Sequence, residues 1–115
     1  MIMAKGAVNL GVCPITLVVV GAVLSHRFVG TDFAQAGAAE NVLGVAAYDG
    51  TDEATTIDTL GVVSVEAGAA VAAGALIETD ASGRGITRTA GPIVARALEA
   101  AGAAGDLIQC ILIPN

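Results

Sequence analysis

Short apolar runs bounded by glycine, proline or Asx-Gly turns dominate the chain, and they predict strands. Residues 1–14 show no clear period and are expected to form an N-terminal arm, punctuated by Gly6, Gly11 and Pro14. Ile15–Val20 and Val23–Val29 read as a pair of strands broken at Gly21-Ala22, with the three β-branched residues Val18 to Val20 expected inside the core. Gly30-Thr31-Asp32 turns the chain, and Phe33–Glu40 is a loop or a single helical turn. Val42–Tyr48 is a strand ending at Asp49-Gly50, Thr51–Ala54 a polar loop, and Thr55–Glu66 a long strand interrupted at Gly61. Gly85–Thr89 follows as a short strand. Ile93–Leu98 is expected to be extended rather than helical, because Gly102 and Gly105 would end a helix early. Leu107–Ile113 is the last strand.

The most readable stretch is Gly61–Arg84. Val63 and Val65 alternate against Ser64 and Glu66, Gly68 and Gly74 then flank Val71, and Thr79-Asp80-Ala81-Ser82-Gly83 closes the run as a turn cluster. The alanines between would suit a helix, but the glycines on either side argue for a bend between strands. Gly68, Gly74, Asp80 and Gly83 are therefore the expected structural turn residues.

A shift of 51 residues sets Val42-Leu43 over Ile93-Val94, Ala46 over Ala97, Ile57 over Ile108 and Leu60 over Ile111. Two similar β halves follow from this. Both faces of Leu107–Ile113 are largely apolar, so this strand is expected to be covered by the core on one side and by a neighbour on the other. The resulting expectation is an all-β protein with at most one short helix. Residues 1–14 form the arm, and residues 15–115 form a single compact barrel- or sandwich-like domain.

Composition sharpens this picture. Of 115 residues, 55% are hydrophobic but only 3% aromatic, so the interior must be built from small side chains. The mean hydropathy of +0.78 suggests that part of the apolar surface is hidden against copies of the chain or a partner. Net charge is −6, and the five cationic residues are scattered, which argues against nucleic acid and against an anionic membrane. The run Ile15–Leu24 is too short and too interrupted for a bilayer span or a leader, so the default compartment is the cell interior. Cys13 and Cys110 both sit in apolar runs and are expected as core thiols, with a bridge between them as the alternative.

Candidate chemistry is sparse. His26 has no evident acid or nucleophile partner, and Gly83-Arg84-Gly85 lacks the Lys-Ser/Thr of a phosphate loop. Asp49, Asp52 and Glu53 lack the spacing of a calcium loop and read as a solvated tip, while Asp80 and Asp106 read as turn residues. No catalytic, cofactor or metal residue is predicted, and the protein is not expected to be an enzyme. Val65 to Ala81 does resemble the hammerhead of biotinyl and lipoyl carrier domains, which place a modified lysine after such an aspartate. Here Ala81 stands at that position and the only lysine is Lys5. A non-catalytic hammerhead-like carrier or small binding domain is the alternative reading, and a secreted adhesive β module a weaker third.

The run from Val65 to Gly83-Arg84, then Ala95-Arg96-Ala97-Leu98-Glu99-Ala100-Ala101, then Gly105-Asp106-Leu107-Ile108 resembles the capsid cement (decoration) proteins of tailed bacteriophages. Asn41-Val42-Leu43-Gly44-Val45-Ala46 extends the match; Ala95-Arg96 departs from a commoner Gly-Val, and the arm matches least. The resemblance implies a β-rich protein that coats the outside of a phage head and stabilises it, commonly as a trimer on an HK97-fold major capsid protein. It implies a place on the virion exterior, after assembly in the host cytoplasm, with no cofactor. Under it, Met1, Ile2, Met3, Ala4 and Lys5 of the arm, with Leu107, Ile111 and Ile113 of the last strand, are the expected capsid or subunit contacts.

Overall fold

The computed structural model describes residues 10–115, and among them there is no helix. The strands are β1 (Leu10–Val18), β2 (Ala22–Val23), β3 (Phe28–Gly30), β4 (Val42–Ala46) and β5 (Gly50–Thr51). They continue with β6 (Ala54–Glu66), β7 (Leu76–Thr79), β8 (Gly85–Thr87), β9 (Ala95–Ala97) and β10 (Leu107–Leu112). One sheet runs in the order β3-β4-β6-β10-β9-β7-β8, with β1 added to β6, while β2 and β5 pair separately. Every strand pairing in both sheets is antiparallel.

The strand order explains the internal repeat. Up to β7, it reads as β3-β4-β6 followed by the mirrored run β10-β9-β7. Each half is a short strand, its partner, and a longer strand, and the halves join where Val63 and Val65 face Cys110 and Ile108. The two ends of the path then approach each other. Phe28 of β3 donates its N–H to Gly83 O at 2.8 Å, and a parallel bridge sets Ala67, just after β6, beside Gly85 of β8. The sheet thereby curls into a nearly closed barrel.

β6 is the spine. At Ile57 it pairs with Ile15 of β1 on one edge and Ala46 of β4 on the other; at Val62 it pairs with β1 and β10. Its inward residues serve two clusters. Val63 and Val65 join Phe28, Ile77, Val94, Ile108, Cys110 and Leu112 in the larger core. Ile57 joins Val19, Val23, Val29 and Ala46 in the smaller. β4 can lie against β6 only because residue 44 is glycine. A Cβ there would collide with the backbone carbonyl of Asp58.

Several expectations need correction. Strand β1 starts at Leu10, so residues 10–14 of the expected arm pair with β6. Val18 to Val20 is not a buried block: Val19 is in the core, but Val18 and Val20 are 61% and 58% exposed. Alternation in an edge segment outweighs the β-branched composition there. Val23–Val29 is not one strand either, because the chain turns between β2 and β3, with His26 at φ 66°. Cys13 is exposed rather than a core thiol, on a β1 that has no strand beyond it among the described residues, whereas Cys110 is fully buried; both are free. Phe33–Glu40 takes the loop form, its Gln35 bridged to Val29.

Candidate interaction surface

Three of the four predicted turn residues, Gly68, Asp80 and Gly83, come together at one place. Asp80 Oδ1 accepts the backbone N–H groups of Ser82 and Arg84 at 2.8 and 2.9 Å, closing the turn as an Asx-type cap. Gly83 completes it at φ 74°, where a Cβ would also press on the carbonyl oxygens of Phe28 and Ala36 at 3.2 and 3.3 Å. Gly68 passes so close to the Asp80 carboxylate that a Cβ would collide with it. Gly74 stands apart, at φ 84° with open space around it. The bend is thus built on the contact of Gly68 with Asp80. Ala81 is exposed at the turn's tip.

Ion pairs lock this turn to the spine. Arg84 Nε reaches Asp80 Oδ2 at 3.1 Å, and Arg27 Nη2 reaches Glu66 Oε2 at 3.2 Å. Arg27 Nη1 also donates to Ser82 O at 3.3 Å. These charges are half-buried and neutralise one another, so they act as fasteners rather than as a site.

A second carboxylate is engaged in the same way. Glu78 is buried, and its Oε1 accepts the N–H groups of Thr89, Ala90 and Gly91 at 2.8, 3.1 and 2.9 Å. Backbone hydrogen bonding to the charged form holds this carboxyl below its ordinary value of 4.5, against the opposing pull of burial. At Cys110, burial and then the nearby Glu99 push the thiol up to about 12. A thiol so raised stays protonated and is a poor nucleophile. Among the described residues no group of three or more His, Cys, Asp or Glu is placed to hold a metal ion.

What remains is surface. Of the three aromatic residues, only Phe28 is in the core; Phe33 and Tyr48 are 42% and 67% exposed. An aromatic-poor protein that leaves two rings outside has a strong reason to hide them elsewhere. Two of the three predicted contact residues of the last strand are exposed too. Leu107 and Ile111 lie on the outer face of β10, 54% and 41% exposed, opposite Glu66 and Val62 of β6. Ile113 is half-buried beyond the strand's end, and Ile108, Cys110 and Leu112 fill the core side. Met1, Ile2, Met3, Ala4 and Lys5 lie outside the described residues. Phe33, Tyr48, Leu60 and Leu98 were not singled out from the sequence; a lone aromatic beside a turn carries no signal of exposure until the core is known.

Residues 10–112 match the model of a phage cement protein family. The chain belongs to that family. Membership makes it a capsid-associated structural protein of a bacteriophage, with its place on the virion capsid. No curated protein matches its sequence directly. Among solved structures it is similar to the head fiber gp8.5 N base of bacteriophage phi29, with a TM-score of 0.72 at 17% identity. That likeness covers 88% of this chain and 95% of the other, and it shows a shared fold. In a cement protein, exposed apolar strand faces and aromatic loop tips are what the structure offers to partners.

Proposed function

We propose that this cement protein binds the outer surface of a tailed-phage head and strengthens the shell, seated as a homotrimer on an HK97-fold major capsid protein. Membership of the cement family over residues 10–112 carries the reading, and the exposed Phe33, Tyr48, Leu107 and Ile111 support it. In this reading the protein is not an enzyme, takes no cofactor, and contacts neither nucleic acid nor membrane. It is made in the host cytoplasm and ends on the exterior of the virion. Residues 1–9 act as the arm, with Met1–Lys5 contacting the shell and β1 anchoring the arm to the barrel.

Stabilisation would work by mass action. A ligand that binds only the intact shell contributes about 2.7 kcal/mol per site when its free concentration is about 100 times Kd. The test is add-back to expanded shells that lack the protein. Saturable occupancy and a higher shell-disruption temperature are expected; binding without that rise, or no binding, rejects the reading. Removing residues 1–9 should lower occupancy while leaving the barrel's melting unchanged. Full occupancy by the truncated chain would remove the arm from the account.

A further inference from the structure

Two surface regions of the barrel are apolar and carry opposite charge. The first is a cluster of loops in the N-terminal half. Val20 N donates to Phe33 O at 2.9 Å, Leu24 N to Gln35 Oε1 at 3.1 Å, and Ser25 N to Asp49 Oδ1 at 2.7 Å. These bonds gather the exposed side chains of Val20, Leu24, Phe33 and Tyr48 into neighbouring loops. Asp32, Asp49, Asp52 and Glu53 stand exposed in the same loops, and Arg27, just beyond Leu24, is turned away to Glu66. Three of the five non-glycine residues with positive φ among the described residues are here, His26, Phe33 and Asp52. Backbone held in so unfavourable a region for a bulky residue such as Phe33 tends to mark sites of use.

The second region is the outer face of the C-terminal half. Arg88 N donates to Leu76 O at 2.8 Å, Leu76 pairs with Arg96, Arg96 with Ile111, and Ile111 with Val62. Residues directly opposite across antiparallel strands point the same way. Leu76, Arg96, Ile111 and Val62 therefore share one outward row, and Arg88 stands at its end. Among the described residues, Arg88 and Arg96 are the two arginines without a carboxylate at ion-pair distance.

We infer that the acidic loop cluster of one copy docks on the Arg88–Arg96 face of the next. This rests on the trimeric reading above and deepens it by naming the surfaces. Both partners are present on the same chain, with apolar centres to bury and unlike charge around them, and they do not overlap. Contact between two different patches is heterologous: it leaves one of each free until a ring closes, which a trimer does. Like charge set across such a contact opposes docking, whereas exposed unlike pairs guide it and weaken with salt.

The experiment is a charge swap read by light scattering during size-exclusion chromatography. R88E/R96E should weaken self-association by about tenfold or more, and D32K/E53K should do the same. Asp32 and Glu53 are chosen because each side chain accepts only an amide two residues away, of Ala34 and Thr51 at 3.2 Å, whereas Asp49 and Asp52 hold the distant Ser25 and Gly21 amides at 2.7 and 2.8 Å. The chain with all four changes should regain the wild-type mass, which a merely damaged surface would not. R88Q/R96Q provides a milder version, and circular dichroism checks that each variant is folded. Wild-type protein that stays monomeric at its solubility limit, or reversals that leave the oligomer intact, or a fourfold variant that fails to recover, would each overturn the inference. Shell add-back with the same proteins separates this failure from failure of the cement reading, because a monomer can still bind and strengthen a shell.

Discussion

Glu78 shows how a single side chain can hold a loop that has no strand of its own. Its carboxylate takes three consecutive backbone N–H groups from residues 89–91, and a Cβ at Gly91 would meet Ala39 at 2.7 Å. Because folding lowers this carboxyl's pKa, its contribution to stability is fully present above the ordinary value of 4.5 and is lost as pH falls through the lower folded value. Glu78→Gln should therefore destabilise the protein at neutral pH, since an amide accepts these bonds more weakly than a charged oxygen. The gap between wild type and variant, followed by denaturant unfolding in dilute solution, should close on acidification below pH about 4.5. A gap that stays constant with pH would show that the charge is not what matters. Nothing in the sequence around Glu78 points to this role, because the N–H groups come from a turn eleven to thirteen residues on. By contrast, Asp80 and Gly83 were legible, since the Asx-x-x-Gly turn is closed by local bonds.

At the level of elements, antiparallel pairing makes the close contact of β4 with β6 depend on one missing side chain. Gly44→Ala should push β4 away from Asp58, at a cost of about 3 kcal/mol or more, because backbone rather than a movable side chain is in the way. Amide exchange should speed up at residues 42–46 first, while β10, on a different stretch of β6, keeps its protection. Equal loss throughout would mean that the barrel unfolds only as a unit. The long strand, the last strand and the two-fold repeat were all visible as apolar periodicity. The short strands β2, β3 and β5 were not, being two or three residues long and set by partners far away in sequence. Exposure failed for the same reason. Val18 and Val20 look like core by composition, yet which face of an edge strand is covered depends on what lies beyond it.

The whole molecule pairs a small-residue interior with a negative exterior. Repulsion at net charge −6 keeps the exposed apolar patches of separate molecules apart. As pH approaches the isoelectric point near 4.3 this repulsion vanishes, so solubility should reach a minimum there and recover on either side. Turbidity against pH measures it; a flat profile would mean that the apolar patches are already covered, by self-association for example. Fold class and family were within reach of the sequence, because both depend on the spacing of glycines and strands. The charged halves of the surface were not, because Arg88 and Arg96 become neighbours of Leu76 only through pairings between separate strands.

Strand β6 has a mechanical side. It runs through thirteen residues, about 40 Å of chain at a rise of about 3.3 Å per residue. Gly61 stands at φ 95° in its course, and the strand threads from one apolar cluster into the other. A strand common to both clusters ties them together. Load applied at the acidic loops would pass to the arginine face through a continuous ladder of rungs, so a subunit fastened at both places would work as a brace and not as a tether.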